Sequence, residues 1–170
     1  MTTTYLDMNN KMYDYISQKV RDTYKNSCIV WIETIENKIQ KDMFDKYIIS
    51  LSEPNIKTLF HGTSEDSARS IIFNHFDPSY KKVCAYGDGI YFSTRAQYSK
   101  DYSKKSNDGI AFMFVCDVAC GRVIQGRQRT TIPKEYNSFT DNIRKPDMYI
   151  VDKAEAIWPR YLVAFYPSAK

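Results

Sequence analysis

The feature that most constrains the fold of this 170-residue chain is a pair of short segments, Leu59–Thr63 and Tyr86–Ser93. The first is an apolar stretch that runs into His61 and Gly62, which predicts a β-strand whose end carries an imidazole beside bare backbone. The second is a turn punctuated by glycines that leads directly into a short aromatic strand at Tyr91. Together they predict a slot with one ring donor, exposed amides and an aromatic wall, which suits a flat ligand such as nicotinamide.

Each segment is ambiguous when taken alone. A single His at a strand end is more often a satisfied structural histidine, and Gly-Asp-Gly is usually ordinary turn chemistry. The second segment is not a dinucleotide fingerprint either, because G-x-G-x-x-G is absent and no βαβ unit surrounds it. The order and spacing of the two segments are what make them informative.

Length and composition indicate one globular domain with its own core, since 43% of the residues are hydrophobic and 26% are charged. The 14 Tyr and 9 Phe indicate mostly core, together with the π-lined wall of a nucleotide cleft. The net charge of +4 is small and the Lys and Arg clusters are short. Nucleic-acid binding is therefore disfavoured.

Two kinds of site are absent from the sequence pattern. No apolar run approaches the length of a membrane span and the N-terminus lacks a signal-peptide pattern, so we expect no membrane partner and an intracellular protein, cytoplasmic or nuclear. The cysteines form no zinc pattern, so we expect reduced thiols and no metal; they are Cys28, Cys84, Cys116 and Cys120.

Residue spacing predicts an α+β protein. Helices are expected at 5–20, at 37–48 with Ile39, Met43, Phe44 and Tyr47 on one face, from a capping-box pattern at Thr63 and Asp66 to about Phe73, and at 95–106. Strands are expected at 28–35, 58–61, 110–118, 149–151 and 160–166, with a long irregular insertion at 126–147. Short strands separated by loops, with the helices early in the chain, favour α+β over a doubly wound sheet.

The two opening segments closely resemble the first two signature segments of the poly(ADP-ribose) polymerase family catalytic domain, the diphtheria-toxin-like ADP-ribosyltransferases. Further matches follow in order: Ala-Gln-Tyr-Ser-x-x-Tyr-Ser at 96–103, Cys-Gly-Arg-Val at 120–123, Lys-Pro-Asp-Met-Tyr-Ile-Val-Asp at 145–152 and Pro-Arg-Tyr-Leu-Val at 159–163. A Tyr-Asn-Ser element at 136–138, with Asp141 and Asn142, resembles the mono-ADP-ribosyltransferase branch that includes the dioxin-inducible and zinc-finger-linked members.

The resemblance implies a role in binding NAD, as co-substrate, for each matching residue. His61 would hydrogen-bond the adenosine-side ribose, and the backbone of Gly62 would hold the nicotinamide carboxamide. Ser99 would donate a second bond to that amide. Tyr91 and Tyr102 would sandwich the nicotinamide ring.

The resemblance also implies a fold and a domain organisation. The expected ADP-ribosyltransferase fold has two small, packed, mostly antiparallel sheets with flanking helices. Residues 1–170 would form a single domain, with a family-like core at 28–166 and an N-terminal helical extension at 1–25. Thr63 would join the donor-binding residues, and a loop at 76–86 would cover the donor pocket.

The chain departs from the chain-forming members at the third signature position. Those members have a Glu immediately before the Tyr-Ile-Val strand, where its carboxylate engages a ribose hydroxyl of the donor and helps to activate an incoming hydroxyl. Here that position is Met148, so the catalytic triad becomes His61, Tyr91 and Met148. Glu155 lies seven residues further on and is not expected to substitute.

We therefore expect transfer of single ADP-ribose units from NAD to a protein acceptor, with self-modification as one option because an intramolecular acceptor has a high effective concentration. We expect a monomer, and constitutive activity, because nothing resembles the helical regulatory subdomain of DNA-break-activated members. The alternatives are a catalytically silent module that binds NAD or ADP-ribose, and a nucleic-acid binder, which a pI of 8.7 allows but no arrangement of residues demands.

Overall fold

The computed structural model describes residues 1–79 and 85–167. These ranges contain nine strands, four α-helices and one short 3-10 helix. In chain order they are β1 (Thr2–Tyr5), α1 (Lys11–Thr23), β2 (Cys28–Glu36), α2 (Lys38–Ser50), β3 (Ile56–Thr63), α3 (Glu65–Asn74), β4 (Ile90–Ser93), α4 (Ala96–Lys100), β5 (Ala111–Ala119), β6 (Val123–Gln125), β7 (Ser138–Thr140), β8 (Met148–Val151), the 3-10 helix (Ala154–Ala156) and β9 (Ile157–Tyr166).

The nine strands form one hydrogen-bonded sheet in the order β1-β2-β9-β5-β3-β4-β8-β7-β6. Neighbouring strands are antiparallel except β6 and β7, which are parallel. Strand β9, the last along the chain, lies between β2 and β5 and pairs with both over most of its length. The sequence therefore predicted the class correctly, as α+β with mostly antiparallel strands.

The shortest pairing between neighbouring strands of the sheet is that of β3 with β4. Within the described residues, Phe60 and Ser93 form the one registered pair of these two strands. Beyond it, His61–Thr63 of β3 and Ile90–Phe92 of β4 form no further registered pair, and we call this boundary between the two strands the seam. The expected two small sheets correspond to the two halves of the sheet, β1-β2-β9-β5-β3 and β4-β8-β7-β6, which meet at the seam.

Helices cover both faces of the sheet, and each face has its own core. Residues of α1 and α4 pack on one face; they and their sheet neighbours are Tyr13, Ile16, Val20, Ala96, Phe60, Met113, Val115 and Val163. Residues of α2 and α3 pack on the other face; they and their neighbours are Phe44, Tyr47, Ala68, Ile72, Leu59, Phe114 and Leu162. Leu59 and Phe60, which directly precede the seam on β3, point to opposite faces of the sheet and belong to different cores. The seam therefore lies between the two cores.

The N-terminal residues correct the predicted helix at 5–20. Thr2–Tyr5 form an edge strand paired with β2, and α1 begins only at Lys11, after Asn10 accepts a hydrogen bond from the amide of Met12. Tyr5, Met8 and Met12 are exposed, although their spacing from Ile16 matched a helical face. β-branched Thr2–Thr4 pair as a strand, which the apolar spacing did not reveal.

Three other elements differ from their predicted form. In α2 the buried face consists of Gln40, Phe44 and Tyr47, whereas Ile39 and Met43 point to solvent. Helix α4 ends at Lys100 because Ser103 turns its hydroxyl toward the carbonyl oxygens of Ser99 and Phe112, which draws the chain to β5. The predicted insertion at 126–147 contains β7.

Strand β9 is also longer than predicted, because it starts at Ile157 and continues through Pro159. A register shift against β5 accommodates the proline, with Cys116 opposite Pro159 and Val115 opposite Tyr161.

Among the helices that the structure describes, none has the length and apolar character needed to cross a membrane. Cys28, Cys116 and Cys120 are free thiols. Burial raises the pKa of the Cys116 and Cys120 thiols, to about 12 for Cys120, which keeps them protonated and unreactive. Cys84 lies outside the described residues.

Candidate active site at the seam

His61 bridges the seam. Its Nδ1 lies 2.8 Å from the carbonyl oxygen of Tyr91 on β4, where the backbone ladder between the strands has already ended. Because a carbonyl only accepts, Nδ1 carries the ring proton and donates, which leaves Nε2 as an acceptor. The imidazole therefore takes the place of a backbone hydrogen bond between β3 and β4, and its Nε2 keeps a lone pair that can accept a hydrogen bond.

The surroundings of His61 keep it neutral. Its ring packs against Phe76 at 5.1 Å and Phe92 at 5.4 Å between centroids. Burial lowers the pKa of His61, and the bond to Tyr91 opposes that shift only in part. A neutral imidazole with a fixed tautomer is suited to accept a hydrogen bond from a hydroxyl rather than to bind an anion.

Gly62 is a glycine because α4 lies directly against it. A Cβ built at Gly62 would be 1.9 Å from the carbonyl oxygen of Ser99 and 2.7 Å from Oγ of Ser103. Ser99 itself is buried. Gly62 and Ser99, both expected to bind the nicotinamide amide, are therefore neighbours in the structure. Thr63, the last residue of β3, is also buried beside them.

Tyr91 is held by the turn that precedes it. Its hydroxyl donates to the carbonyl oxygen of Gly87 at 2.7 Å and accepts from the amide of Tyr86 at 3.1 Å. Gly87 has φ 109° and Gly89 has φ 151°, values that side chains rarely adopt, so the glycines allow the turn to fold back on the ring. The half-buried ring is therefore fixed at the edge of the seam.

Tyr102, the second predicted stacking residue, is 61% exposed. Its hydroxyl is 3.1 Å from that of Tyr98, and their ring centroids are 5.4 Å apart. This hydrogen bond, together with burial, raises the pKa of Tyr98 to about 12. The sandwich of a ring between Tyr91 and Tyr102 stays a prediction.

Met148 is the first residue of β8 and lies directly opposite Ser93. Tyr91, two residues before Ser93 in β4, lies opposite Ile150. Opposed residues in an antiparallel pair share a face, so Met148 and Tyr91 lie on the same side of the sheet. Met148 is buried, and its amide donates to Oδ1 of Asp141 at 3.0 Å. Glu155 lies in the 3-10 helix and influences His75, at the end of α3, so it belongs to another part of the molecule.

The structure brings together His61, Gly62, Tyr91 and Ser99 around the seam. Part of the predicted covering loop, residues 80–84, lies outside the described residues, whereas Phe76 packs on His61. Sequence reasoning gave no role to Asp141 or Tyr98. Asp141 appears in the sequence only as part of a Tyr-Asn-Ser-x-x-Asp-Asn pattern, and its position beside Met148 depends on the β7–β8 hairpin.

Two surface cavities have linings that do not include His61–Thr63 or Ile90–Phe92. One of about 500 Å³ is bounded by the start of α2 and by Trp158 and Arg160 of β9. The other, about 230 Å³, lies between α2 and the end of α3. No group of three or more His, Cys, Asp or Glu side chains suited to a metal occurs in the described ranges.

Comparison with known proteins matches the chain to one family. The model of the poly(ADP-ribose) polymerase catalytic domain matches residues 10–139, a range that includes His61, Tyr91 and Tyr102 but ends before Met148. The match defines an ADP-ribosyltransferase domain, with which the fold is consistent. The chain belongs to the poly(ADP-ribose) polymerase catalytic-domain family.

Three relatives illustrate the likeness. The chain is 29% identical over 94% of its length to a probable poly [ADP-ribose] polymerase of Dictyostelium discoideum, and spans 51% of that protein. It is 28% identical over 90% of its length to the human protein mono-ADP-ribosyltransferase PARP14, of which it spans 10%. It is 31% identical over 69% of its length to the mouse protein mono-ADP-ribosyltransferase PARP12, of which it spans 18%. The chain thus covers about half or less of each of these relatives.

Proposed function

We propose that this chain is an NAD-dependent mono-ADP-ribosyltransferase, which moves one ADP-ribose from NAD to a protein side chain and releases nicotinamide. The observation that supports it most directly is the seam. There, His61 donates to the backbone of Tyr91, the Gly62 backbone lies against Ser99, and the Tyr91 ring is held by the Gly87 turn. Family membership supplies the reaction class.

The chemistry requires positioning more than a strong nucleophile. Nicotinamide leaves C1′ of a cationic nucleotide as a neutral molecule, and the ribose passes through an oxocarbenium-like state, as in glycoside hydrolysis. His61 and Gly62 would hold the two ends of the donor, while Tyr91 would hold the nicotinamide ring. The turn at Gly87, which holds the Tyr91 hydroxyl, and the hydrogen bond from His61 to the Tyr91 carbonyl oxygen would keep this geometry without rearrangement.

Met148 supports single transfer rather than chain growth. A thioether neither orients a ribose hydroxyl nor accepts its proton, so a second ADP-ribose would not be activated at the first. The acceptor would be a protein, including the chain itself, and we expect the chain to act as a monomer.

The test is intact-mass measurement of the protein, alone and mixed with a cell lysate, after incubation with NAD. We expect single ADP-ribose additions to the wild type and none to Tyr91→Ala. Tyr5→Ala, which changes an exposed tyrosine on the distant edge strand, is the matched control and should behave as wild type. Long ladders on the wild-type protein would contradict mono-transfer.

A catalytically silent module that binds NAD or ADP-ribose is the second candidate, and the apolar Met148 is the observation that favours it. The two functions differ in nicotinamide release. An NAD-dependent rise in Tm without released nicotinamide would establish the silent module. No effect of NAD on mass or on Tm would contradict both.

A further inference from the structure

One carboxylate lies beside Met148. Asp141 follows β7, in which Thr140 is opposite Tyr149, so the next position across the hairpin faces Met148. Contact confirms this placement, because Oδ1 of Asp141 accepts the amide protons of Asp147 and Met148, each at 3.0 Å. The carboxylate is thus attached to the start of β8, at the position where chain-forming relatives have Glu.

The two oxygens of Asp141 have different roles in the structure. Oδ1 accepts from the two amides and lies 3.2 Å from the hydroxyl of Thr140. Oδ2 makes no hydrogen bond or ion pair within the described part of the chain, and the residue is only half-buried. The first oxygen fixes the carboxylate and the second stays available to a ligand.

Neither neighbouring acid is in an equivalent position. Asp147 precedes Met148, and its Oδ2 is 3.0 Å from a guanidinium nitrogen of Arg95, so its charge is already paired. Glu155 lies in the 3-10 helix, near His75. Asp141 also lies near the Tyr98 hydroxyl, whose pKa it helps to raise, and Tyr98 is hydrogen-bonded to Tyr102 on α4. Because Asp141 is the next position after Thr140, it shares a face of the sheet with Met148 and, through Ser93, with Tyr91.

We propose that Asp141 is a catalytic residue of this domain, which supplies from the β7–β8 hairpin a carboxylate for the donor ribose only. The activation of an incoming ribose hydroxyl, which is lost with Met148 at the Glu position, is not replaced. Oδ2 would accept a hydrogen bond from a hydroxyl of the nicotinamide-side ribose and would stabilise the positive charge on that ribose. This inference rests on the proposed transferase function.

The step needs no further reactant. The C1′–N bond of NAD breaks and its electron pair stays on nicotinamide, which leaves neutral. A lone pair of the acceptor forms the new bond to C1′, and any proton on the acceptor passes to water. Asp141 forms and breaks no covalent bond; its negative charge opposes the charge that develops on the ribose, which is the kind of interaction that acts most in the transition state.

The experiment compares steady-state nicotinamide release by wild type, Asp141→Asn and Asp147→Asn. Asparagine at 141 keeps an oxygen that can accept the amides of Asp147 and Met148, so the hairpin is retained while the charge is lost. We expect Asp141→Asn to lower kcat at least about tenfold and to change KM by less than about threefold. Asp147→Asn removes a charge of the same sign nearby and should stay within about threefold of wild type in both constants.

Repeating the Asp141→Asn change in a Met148→Glu variant separates a catalytic role of Asp141 from a structural role in the hairpin. In Met148→Glu the new carboxylate takes over the role, so adding Asp141→Asn should lower kcat by less than about threefold there. An equal loss in both backgrounds would assign Asp141 to the hairpin alone and overturn the inference. Wild-type activity in Asp141→Asn would overturn it too and leave the transferase function intact, whereas a wild type that releases no nicotinamide would overturn both.

Discussion

Single residues at the seam are constrained by their neighbours rather than by their own conformation. Gly62 shows this most clearly. It is not among the glycines with positive φ, which in the described residues are Gly87, Gly89, Gly109 and Gly121. Its lack of a side chain is required by the Ser99 carbonyl, which belongs to backbone and has little freedom to move away.

Gly62→Ala should therefore destabilise the domain by about 3 kcal/mol, because the added methyl forces α4 away from β3. Gly109→Ala is the matched control, since its Cβ would meet nothing closer than 4.0 Å and only the positive φ of 79° is unfavourable. That control should cost about 1 kcal/mol. Urea unfolding measures both, and equal losses would show that α4 does not restrict Gly62.

Sequence reasoning works best for residues whose role depends on their immediate neighbours in the chain. His61 and Gly62 were paired in the sequence and are paired in the structure. Asp141 and Met148 are brought together by a hairpin whose first strand was expected to be irregular chain, so nothing local indicated their contact. The contact of Asp141 with Met148, like that of Phe76 with His61, follows only from tertiary structure.

At the scale of elements, caps decide where the helices begin. The sequence pattern placed the start of α3 at Thr63, as part of a capping box with Asp66. In the structure Thr63 is still in β3, and Oγ of Ser64 accepts from the amide of Ser67 at 3.2 Å. The strand ends at Thr63, two residues beyond the predicted end at residue 61, and the cap shifts by one position, from Thr63 to Ser64.

Ser64→Ala should cost about 1 kcal/mol of unfolding free energy because an amide of the first turn loses its acceptor. Thr63→Val, which removes a hydroxyl of similar size from the neighbouring position, should cost less than Ser64→Ala. Both changes are read from chemical denaturation curves. A larger loss for Thr63→Val would place the cap where the sequence pattern had it.

Elements whose apolar residues are few or exposed were the ones mispredicted. Strand β1 is exposed along its whole length, so its sequence carries no alternation of buried and exposed residues. In α2 the polar Gln40 is buried because its side-chain amide donates to the carbonyl oxygen of Ile71 at 3.2 Å, while Ile39 points outward. Hydrophobic spacing alone cannot identify a face built around a polar contact between two helices.

For the molecule as a whole, buried histidines make stability depend on pH. Burial lowers the pKa of His75 to about 4 despite the nearby Glu155. Its Nδ1 accepts from the amide of Phe76 at 2.8 Å, a bond that protonation would remove. The folded protein binds this proton less readily than the unfolded chain, so the stabilisation is complete above the unfolded pKa of 6.5 and is lost as pH falls toward 4.

The free energy of unfolding should therefore fall by about 2 kcal/mol between pH 7 and pH 5 through His75 alone. His61, whose pKa is also lowered, changes stability in the same direction. His75→Asn removes one titrating ring and keeps a polar side chain at this position. Urea unfolding at the two pH values should show a smaller decrease in the variant, and an unchanged decrease would contradict this role for His75.

The position of β9 has a consequence for how the protein is made. A ribosome releases β2 before β5, yet the strand that joins β2 to β5 is Ile157–Tyr166, the last of the nine described strands. Until that strand emerges, β2 and β5 have no common partner, and the backbone N–H and C=O groups of their facing edges stay open to chaperones or to other nascent chains. Completion of the sheet must therefore follow synthesis of nearly the whole domain, and the long-range pairing it requires makes folding slow.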